Sequence, residues 1–228
     1  MKQFTVAEVA ATIDHSVLKP PFTEADVQEH AAMCKTRGVR CMCVRPCDVA
    51  LAAKCLAGSD VIVAAVVGFP HGHHRPEVKA LEAELAIQDG ARELDMVMNI
   101  GLFLGGAYDR VRDDIAAVVE VAKPRGALVK VIQESGCLTL DQVAEACRIS
   151  EQAGADFVKT STGFGPGKAT PEIIDVMLKT VGGRLRVKPS GGIRDWATAV
   201  GYLAQGADRL GVGSTEAVLD GGLADDTY

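Results

Sequence analysis

The chain repeats one pattern from end to end: a short run rich in β-branched residues, then roughly ten to fifteen residues with apolar side chains at helical spacing. The strand candidates are 13–18, 39–45, 60–69, 93–100, 127–135, 157–162, 185–190 and 209–213. Amphipathic stretches begin between them near Thr23, Asp48, Pro76, Tyr108, Thr139, Thr170 and Arg194, and a short last helix is expected over 215–219. Thr23-Glu24-Ala25-Asp26 and Thr139-Leu140-Asp141-Gln142 carry helix-start chemistry, and Thr170-Pro171-Glu172 places proline at the first helical position. Gly38, Gly58, Gly90, Gly154 and Gly206 stand where such helices end. Eight such units at about 28 residues each predict a single (β/α)8 TIM barrel over residues 1–228, with a short tail from about 221 to 228. The strands are apolar nearly throughout, as parallel strands covered on both faces should be. A doubly wound open sheet is the alternative, but it wants a glycine-rich turn after its first strand, where this chain has Lys19-Pro20-Pro21.

Composition narrows the function. A net charge of −6 without Lys/Arg runs argues against nucleic acid as a partner. The longest apolar run, Val61 to Phe69, is about half the length of a membrane-spanning helix, and no signal-peptide pattern opens the chain. Seven cysteines, crowded toward residues 34–55, do not read as a disulfide framework; reduced thiols and a cytoplasmic location are expected. Cys41 and Cys43 share one strand face and read as small inward-facing residues, and Trp196 reads as packing. Glycine is in excess, 24 of 228 residues against a usual ~7%, which suggests tight turns and close backbone approach to a ligand.

Strand side chains alternate, so one parity points into a barrel and the other toward the helices. The inward parity collects Asp14 and Ser16 on the first strand, Asp95 and Asn99 on the fourth, and Lys130 and Glu134 on the fifth. Lys159 and Ser161 follow on the sixth, and Lys188 and Ser190 on the seventh. Buried polar groups are costly unless paired. A purely structural network of three lysines with Asp14, Asp95 and Glu134 is one account. The other starts from Lys159 and Lys188 on adjacent strands: desolvation and a like charge depress the pKa of one of them, and a neutral amine attacks carbonyls to form a Schiff base.

Barrel active sites lie at the C-terminal ends of the strands, and phosphate often sits after the last two. Here Gly163-Phe164-Gly165-Pro166-Gly167-Lys168 follows the sixth strand, Gly191-Gly192 the seventh, and Gly213-Ser214-Thr215 the eighth. The first of these is no Walker A loop, because Thr162 and Ala169 occupy positions that motif needs as Gly and Ser/Thr. The rival chemistry is a metal-dependent hydrolase or class II lyase on His71-Gly72-His73-His74, although His71 can equally line a pocket while the other two face solvent. A phosphate-binding barrel with isomerase activity is a third reading.

Phe157-Val158-Lys159-Thr160-Ser161-Thr162-Gly163-Phe164, followed by Val187-Lys188-Pro189-Ser190-Gly191-Gly192-Ile193-Arg194, resembles the deoxyribose-phosphate aldolase family. Ile13-Asp14-His15-Ser16, Cys43-Val44-Arg45-Pro46, Gly68-Phe69-Pro70-His71-Gly72 and Glu93-Leu94-Asp95-Met96-Val97 extend the resemblance over nearly the whole chain. The resemblance implies a class I aldolase that needs neither metal nor cofactor and cleaves 2-deoxy-D-ribose 5-phosphate reversibly to D-glyceraldehyde 3-phosphate and acetaldehyde. It implies Lys159 as Schiff-base nucleophile, Lys188 as the neighbouring ammonium, and Asp95 as proton donor and acceptor. The expected substrate and phosphate contacts are Asp14, Ser16, Cys43, Lys130, Gly163, Gly191, Gly192, Gly213 and Ser214. Some family members end in a tyrosine that reaches the site, so Tyr228 is expected to assist protonation of the enamine carbon. Expected partners are small phosphorylated sugars and aldehydes, with a homodimer or homotetramer as the assembly.

Overall fold

The computed structural model describes residues 3–222. Eight parallel strands form one sheet: β1 (Ile13–Val17), β2 (Cys41–Val44), β3 (Ile62–Val67), β4 (Glu93–Val97), β5 (Leu128–Ile132), β6 (Phe157–Lys159), β7 (Arg186–Lys188) and β8 (Leu210–Val212). The helices are α1 (Val6–Ala10), α2 (Glu24–Arg37), α3 (Val49–Leu56), α4 (Pro76–Gln88), α5 (Ile100–Leu104), α6 (Tyr108–Ala122), α7 (Leu140–Gln152), α8 (Pro171–Val181), α9 (Trp196–Gln205) and α10 (Thr215–Leu219). Strand order runs β7-β6-β5-β4-β3-β2-β1-β8, and a bridge between Ser190 and Gly211 brings the β7 and β8 edges together. The Gly211 amide donates to the Pro189 carbonyl at 2.8 Å across this seam. The sheet is thereby a barrel, and the open-sheet alternative falls.

Helix starts follow the anticipated chemistry. Thr23 and Thr139 cap α2 and α7 through reciprocal capping boxes with Asp26 and Gln142, and Pro171 occupies the first turn of α8. Every strand starts at or inside its expected first residue and all end early. The chain leaves the ladder as soon as the loops turn to build the cavity. Residues 98–100 are not strand: Asn99 caps α5, its side chain accepting from the Leu102 amide at 3.1 Å. Asn99 therefore does not belong to the inward-facing set. Neither α1 nor α5 was expected, because each is a five-residue helix set by a local cap rather than by a long apolar stripe.

Two apolar regions are distinct. The larger lies between barrel and helices, where outward residues such as Leu94, Met96, Val129, Val131, Val158 and Val187 meet helix side chains including Val118, Val143 and Ile174. Trp196 packs against its edge, as expected. The smaller, inside the barrel, is only Leu18, Cys41, Cys43, Ala64 and Val66 with Ile62 and Phe69 alongside. Charged side chains occupy much of the rest, together with Phe157, whose ring centroid lies 5.9 Å from Lys130 Nζ. Among the described residues, no helix is long and apolar enough to cross a membrane.

Candidate active site

Strand parity delivers the inward polar residues at successive levels of the barrel. The register pairs Asp95 with Lys130 and Lys159 with Lys188, so each pair stands side by side on neighbouring strands. Asp95 is fully buried and accepts from three lysines: Lys159 and Lys188 reach Oδ2, each at 2.7 Å, and Lys130 reaches Oδ1 at 2.8 Å. Lys188 also donates to Asp14 at 2.5 Å. Lys130 is further held by Glu93 at 2.5 Å and Asp14 at 3.0 Å. Arg209 closes the floor of the network, reaching Asp14 at 2.6 Å and Glu93 at 2.7 Å.

The carboxylate that completes the network is Glu93, not Glu134. Glu134 lies beyond β5 in the left-handed region, at φ 50°, and accepts from the Thr162 amide and hydroxyl. It braces the loop after β6 from outside the lysine cluster. Glu93 and Arg209 were missed by sequence reasoning, although both carried a signal. Each shares the inward parity, Glu93 two residues before Asp95 and Arg209 two before Gly211.

Four basic groups (Lys130, Lys159, Lys188 and Arg209) thus face three carboxylates (Asp14, Glu93 and Asp95) in a buried cluster. A buried surplus charge is expensive, and the inexpensive remedy is for one lysine to be neutral. Lys159 is the most weakly held, with a single carboxylate against two for Lys188 and three for Lys130. Burial pushes the Lys159 ammonium below the ordinary lysine value; Asp95 opposes this and Lys188 adds to it. For Lys188, burial acts downward too, but Asp14 and Asp95 outweigh it and hold the group above its ordinary value. Lys130 is likewise held well above, against its burial, by Asp14, Asp95 and Glu93. Burial would raise the Asp95 carboxyl, yet Lys130, Lys159 and Lys188 keep it well below the usual range.

Above the network lies a cavity of ≈ 250 Å³. Its lining includes Asp14, Ser16, Cys43, Lys159, Lys188, Gly163, Gly191, Gly192, Gly213 and Ser214, all expected at the site. Lys130 is not on that lining: it is wholly buried beneath Asp95, because its three carboxylate partners draw it below the cavity floor. Asp95 also lies behind the two ammonium groups rather than on the wall. Burial raises the Cys43 thiol to about 11, so it meets the cavity as a neutral group. Tyr228 lies outside the described residues.

The loops around the mouth are held by specific contacts. The Thr160 hydroxyl donates to the Ser190 carbonyl at 2.8 Å and accepts from the Ser190 amide at 2.9 Å, tying the β6 and β7 loops together. Gly191 and Gly192 have φ 84° and 78°, a conformation that disfavours any side chain. At Gly211 a Cβ would come within 2.5 Å of Ser190 Oγ, so glycine there lets the seam close over Lys188 and Ser190. Lys168 lines the mouth, with Lys19 and Arg194, two further cations that the sequence reading did not single out.

The histidine segment is elsewhere. His71, His73 and His74 are exposed, their rings stacked in series at 5.4 Å, and none lines the cavity. Asp14, Cys41 and Glu93 are close enough to one another to share a cation, but Lys130 and Arg209 already neutralise both carboxylates and burial keeps the Cys41 thiol protonated. That donor set does not fit a divalent metal.

Residues 8–212 match the model of the DeoC/LacD family of aldolases. Deoxyribose-phosphate aldolase of Geobacillus sp. (strain WCH70) is 46% identical over 220 residues, covering 96% of this chain and 98% of that protein. The Nocardia farcinica enzyme of the same name is 48% identical over 218 residues, covering 95% of this chain and 96% of the relative. Among solved structures, deoxyribose phosphate aldolase from Aeropyrum pernix, described as a tetramer, superposes with a TM-score of 0.89 at 32% identity, covering 95% and 91% of the two chains. A cluster of lysines on one buried carboxylate, beneath a cavity walled by glycine-rich loops, is thus accompanied by full-length kinship, and the chain belongs to the DeoC/LacD family of aldolases.

Proposed function

We infer that the chain is a deoxyribose-phosphate aldolase of class I, cleaving 2-deoxy-D-ribose 5-phosphate reversibly to D-glyceraldehyde 3-phosphate and acetaldehyde through a Schiff base on Lys159. The observation that carries the assignment is the inequality among the lysines: Lys159 meets the cavity with one carboxylate partner and a lowered pKa, beside the firmly protonated Lys188.

Neutral Lys159 Nζ attacks C1 of the open-chain sugar, and uptake of one proton with loss of water leaves a protonated imine. Lys188 keeps its charge and thereby favours the neutral form of its neighbour. Removal of the C3 hydroxyl proton, through a water to Asp95, drives the electron pair of the C2–C3 bond into the imine. Glyceraldehyde 3-phosphate leaves and an enamine remains. Protonation at C2 and addition of water then release acetaldehyde and restore the amine. Asp14, Ser16 and Cys43 form the wall against which the carbon chain lies. The phosphate rests on the backbone of Gly163, Gly191-Gly192 and Gly213-Ser214, with Lys168 at the rim. Lys130 serves from beneath, orienting Asp95 without touching substrate.

The test is to incubate the protein with acetaldehyde and borohydride and to map the adduct. A stable modification on Lys159, with turnover indifferent to chelator, is expected. A wild-type protein that gives no adduct and loses turnover in chelator overturns the assignment.

The seven cysteines, all free, fit a reducing, cytoplasmic setting. Self-association as a homodimer or homotetramer is supported by the exposed apolar side chains Val78, Leu81 and Leu85, which follow one stripe of α4. Light scattering on the wild type and on Leu81→Lys tests this, with a smaller assembly expected for the variant.

A further inference from the structure

One wall of the cavity carries a chain of three side chains that the aldol steps leave unused. His15 stands on β1 between the inward residues Asp14 and Ser16, so it points away from the barrel interior, and it is buried. Its Nδ1 lies 2.8 Å from the Thr215 hydroxyl at the start of α10. Its Nε2 lies 2.9 Å from Nδ1 of His30 on α2. His30 is half-buried and lines the cavity, as does Ser214, the residue before Thr215.

Proton accounting fixes the direction of this chain. Thr215 is buried, and His15 is the hydrogen-bond partner of its hydroxyl among the described residues. The hydroxyl therefore donates to His15 Nδ1; the reverse arrangement would strand its proton without an acceptor. Burial holds the His15 imidazole down to about 3, so the ring is neutral and carries its proton on Nε2. That proton is donated to His30 Nδ1. Burial also lowers the His30 pKa, and Lys19 acts in the same direction. Glu29 and Asp26 on its own helix and Glu216 on α10 oppose them without reversing the outcome. Neutral His30, accepting at Nδ1, must hold its proton on Nε2, on the ring edge that His15 does not occupy.

We propose that His30 is a specificity-determining residue, presenting its Nε2–H to the phosphate of the substrate, while His15 and Thr215 are positioning residues that fix its tautomer. The proposal rests on the aldolase reading, which supplies the phosphorylated substrate. Its own content is that a third wall, contributed by α2, adds a side-chain donor to the backbone cradle of the β6, β7 and β8 loops. A neutral donor suits this place, because it recognises the dianion without adding charge to a site that already holds several cations.

Three variants test it: His30→Leu, His30→Gln and Thr215→Val. Each is measured by steady-state turnover of 2-deoxyribose 5-phosphate and of unphosphorylated 2-deoxyribose, and by competitive inhibition and calorimetric binding of inorganic phosphate. His30→Leu should raise both KM for the phosphorylated sugar and the phosphate inhibition constant by about tenfold, with kcat changed less than about twofold. Turnover of 2-deoxyribose should not move. Gln, which keeps an N–H donor, should recover most of the loss. Thr215→Val, which removes the donor to His15 but keeps the volume, should raise the same two constants by about threefold. The proposal is overturned if His30→Leu leaves phosphate binding unchanged, or if it impairs both sugars equally. Acetaldehyde trapping on Lys159 is run in parallel. Failure of trapping in the wild type strikes the aldolase reading, whereas calorimetric phosphate binding judges His30 without any turnover.

Discussion

The two faces of the same eight strands are built from opposite materials. Outward, Leu94, Met96, Val129, Val131, Val158 and Val187 form a dry, close-packed layer with the helices. Inward, one residue along each strand, stand Glu93, Asp95, Lys130, Lys159 and Lys188. The outer layer stabilises by removing apolar surface from water, roughly 1.5–3 kcal/mol for each large side chain fully buried. The inner layer obtains little net stability from its ion pairs, since desolvation offsets most of their attraction. What it provides is a buried amine whose pKa is pushed down while those of its neighbours are held up. A barrel can hold such a cluster because the second layer bears the stability.

The largest test of this contrast is Lys159→Leu. Turnover should fall by at least about 10⁴-fold, with no borohydride adduct. Burial depresses the Lys159 pKa and the amine has a single carboxylate partner, so its loss should leave the thermal midpoint unchanged or higher; a marked loss of stability would show that Lys159 was a needed cation. The mirror-image experiment is Leu94→Ala in the outer layer. It should cost about 3 kcal/mol in denaturant unfolding while leaving kcat within about twofold.

Next comes Lys188→Leu, which should lower turnover by about 10²-fold and move the pH profile of imine formation. The sign follows from charge: Lys188 favours the neutral form of Lys159, so its removal raises the Lys159 pKa and shifts the acid limb to higher pH. An unmoved limb would break the assignment of roles between the two lysines. The smallest effect is acid sensitivity. Asp14 and Asp95 have folded-state values below their ordinary ones, despite burial, because of the surrounding cations. Their contribution to stability is complete above the unfolded carboxylate value of about 4 and is lost as pH falls through the depressed folded values. In a variant such as Leu94→Ala, with less stability in reserve, unfolding on acidification should begin at a higher pH than in the wild type.

Much of this was legible in the chain. The period-2 alternation placed Asp14, Ser16, Asp95, Lys130, Lys159 and Lys188 inside, and the structure has them there. The same rule was over-extended at Asn99 and Glu134, which lie past the last ladder residues, where alternation no longer governs direction. Glu93 and Arg209 stand at the strand starts, far from the catalytic end, and their part in balancing its charge depends on contacts across the barrel rather than on local pattern. The link from His15 to His30 could not be seen, because a strand residue and a helix residue meet only through packing.

What the sequence alone determined is therefore what is local and periodic: eight strand–helix units, the inward parity, the glycine-rich loops, and two lysines on neighbouring strands. Tertiary structure decided which carboxylate each lysine holds. Asp14 reaches Lys188 and Lys130 because β1 pairs with β8 and the barrel closes through Ser190 and Gly211, bringing the seventh strand round to the eighth and the fifth across the interior. Asp95 is likewise shared by three lysines across the interior. Alternation depends on one strand's geometry, whereas charge balance depends on register and closure of all eight, and that balance sets Lys159 apart from Lys188.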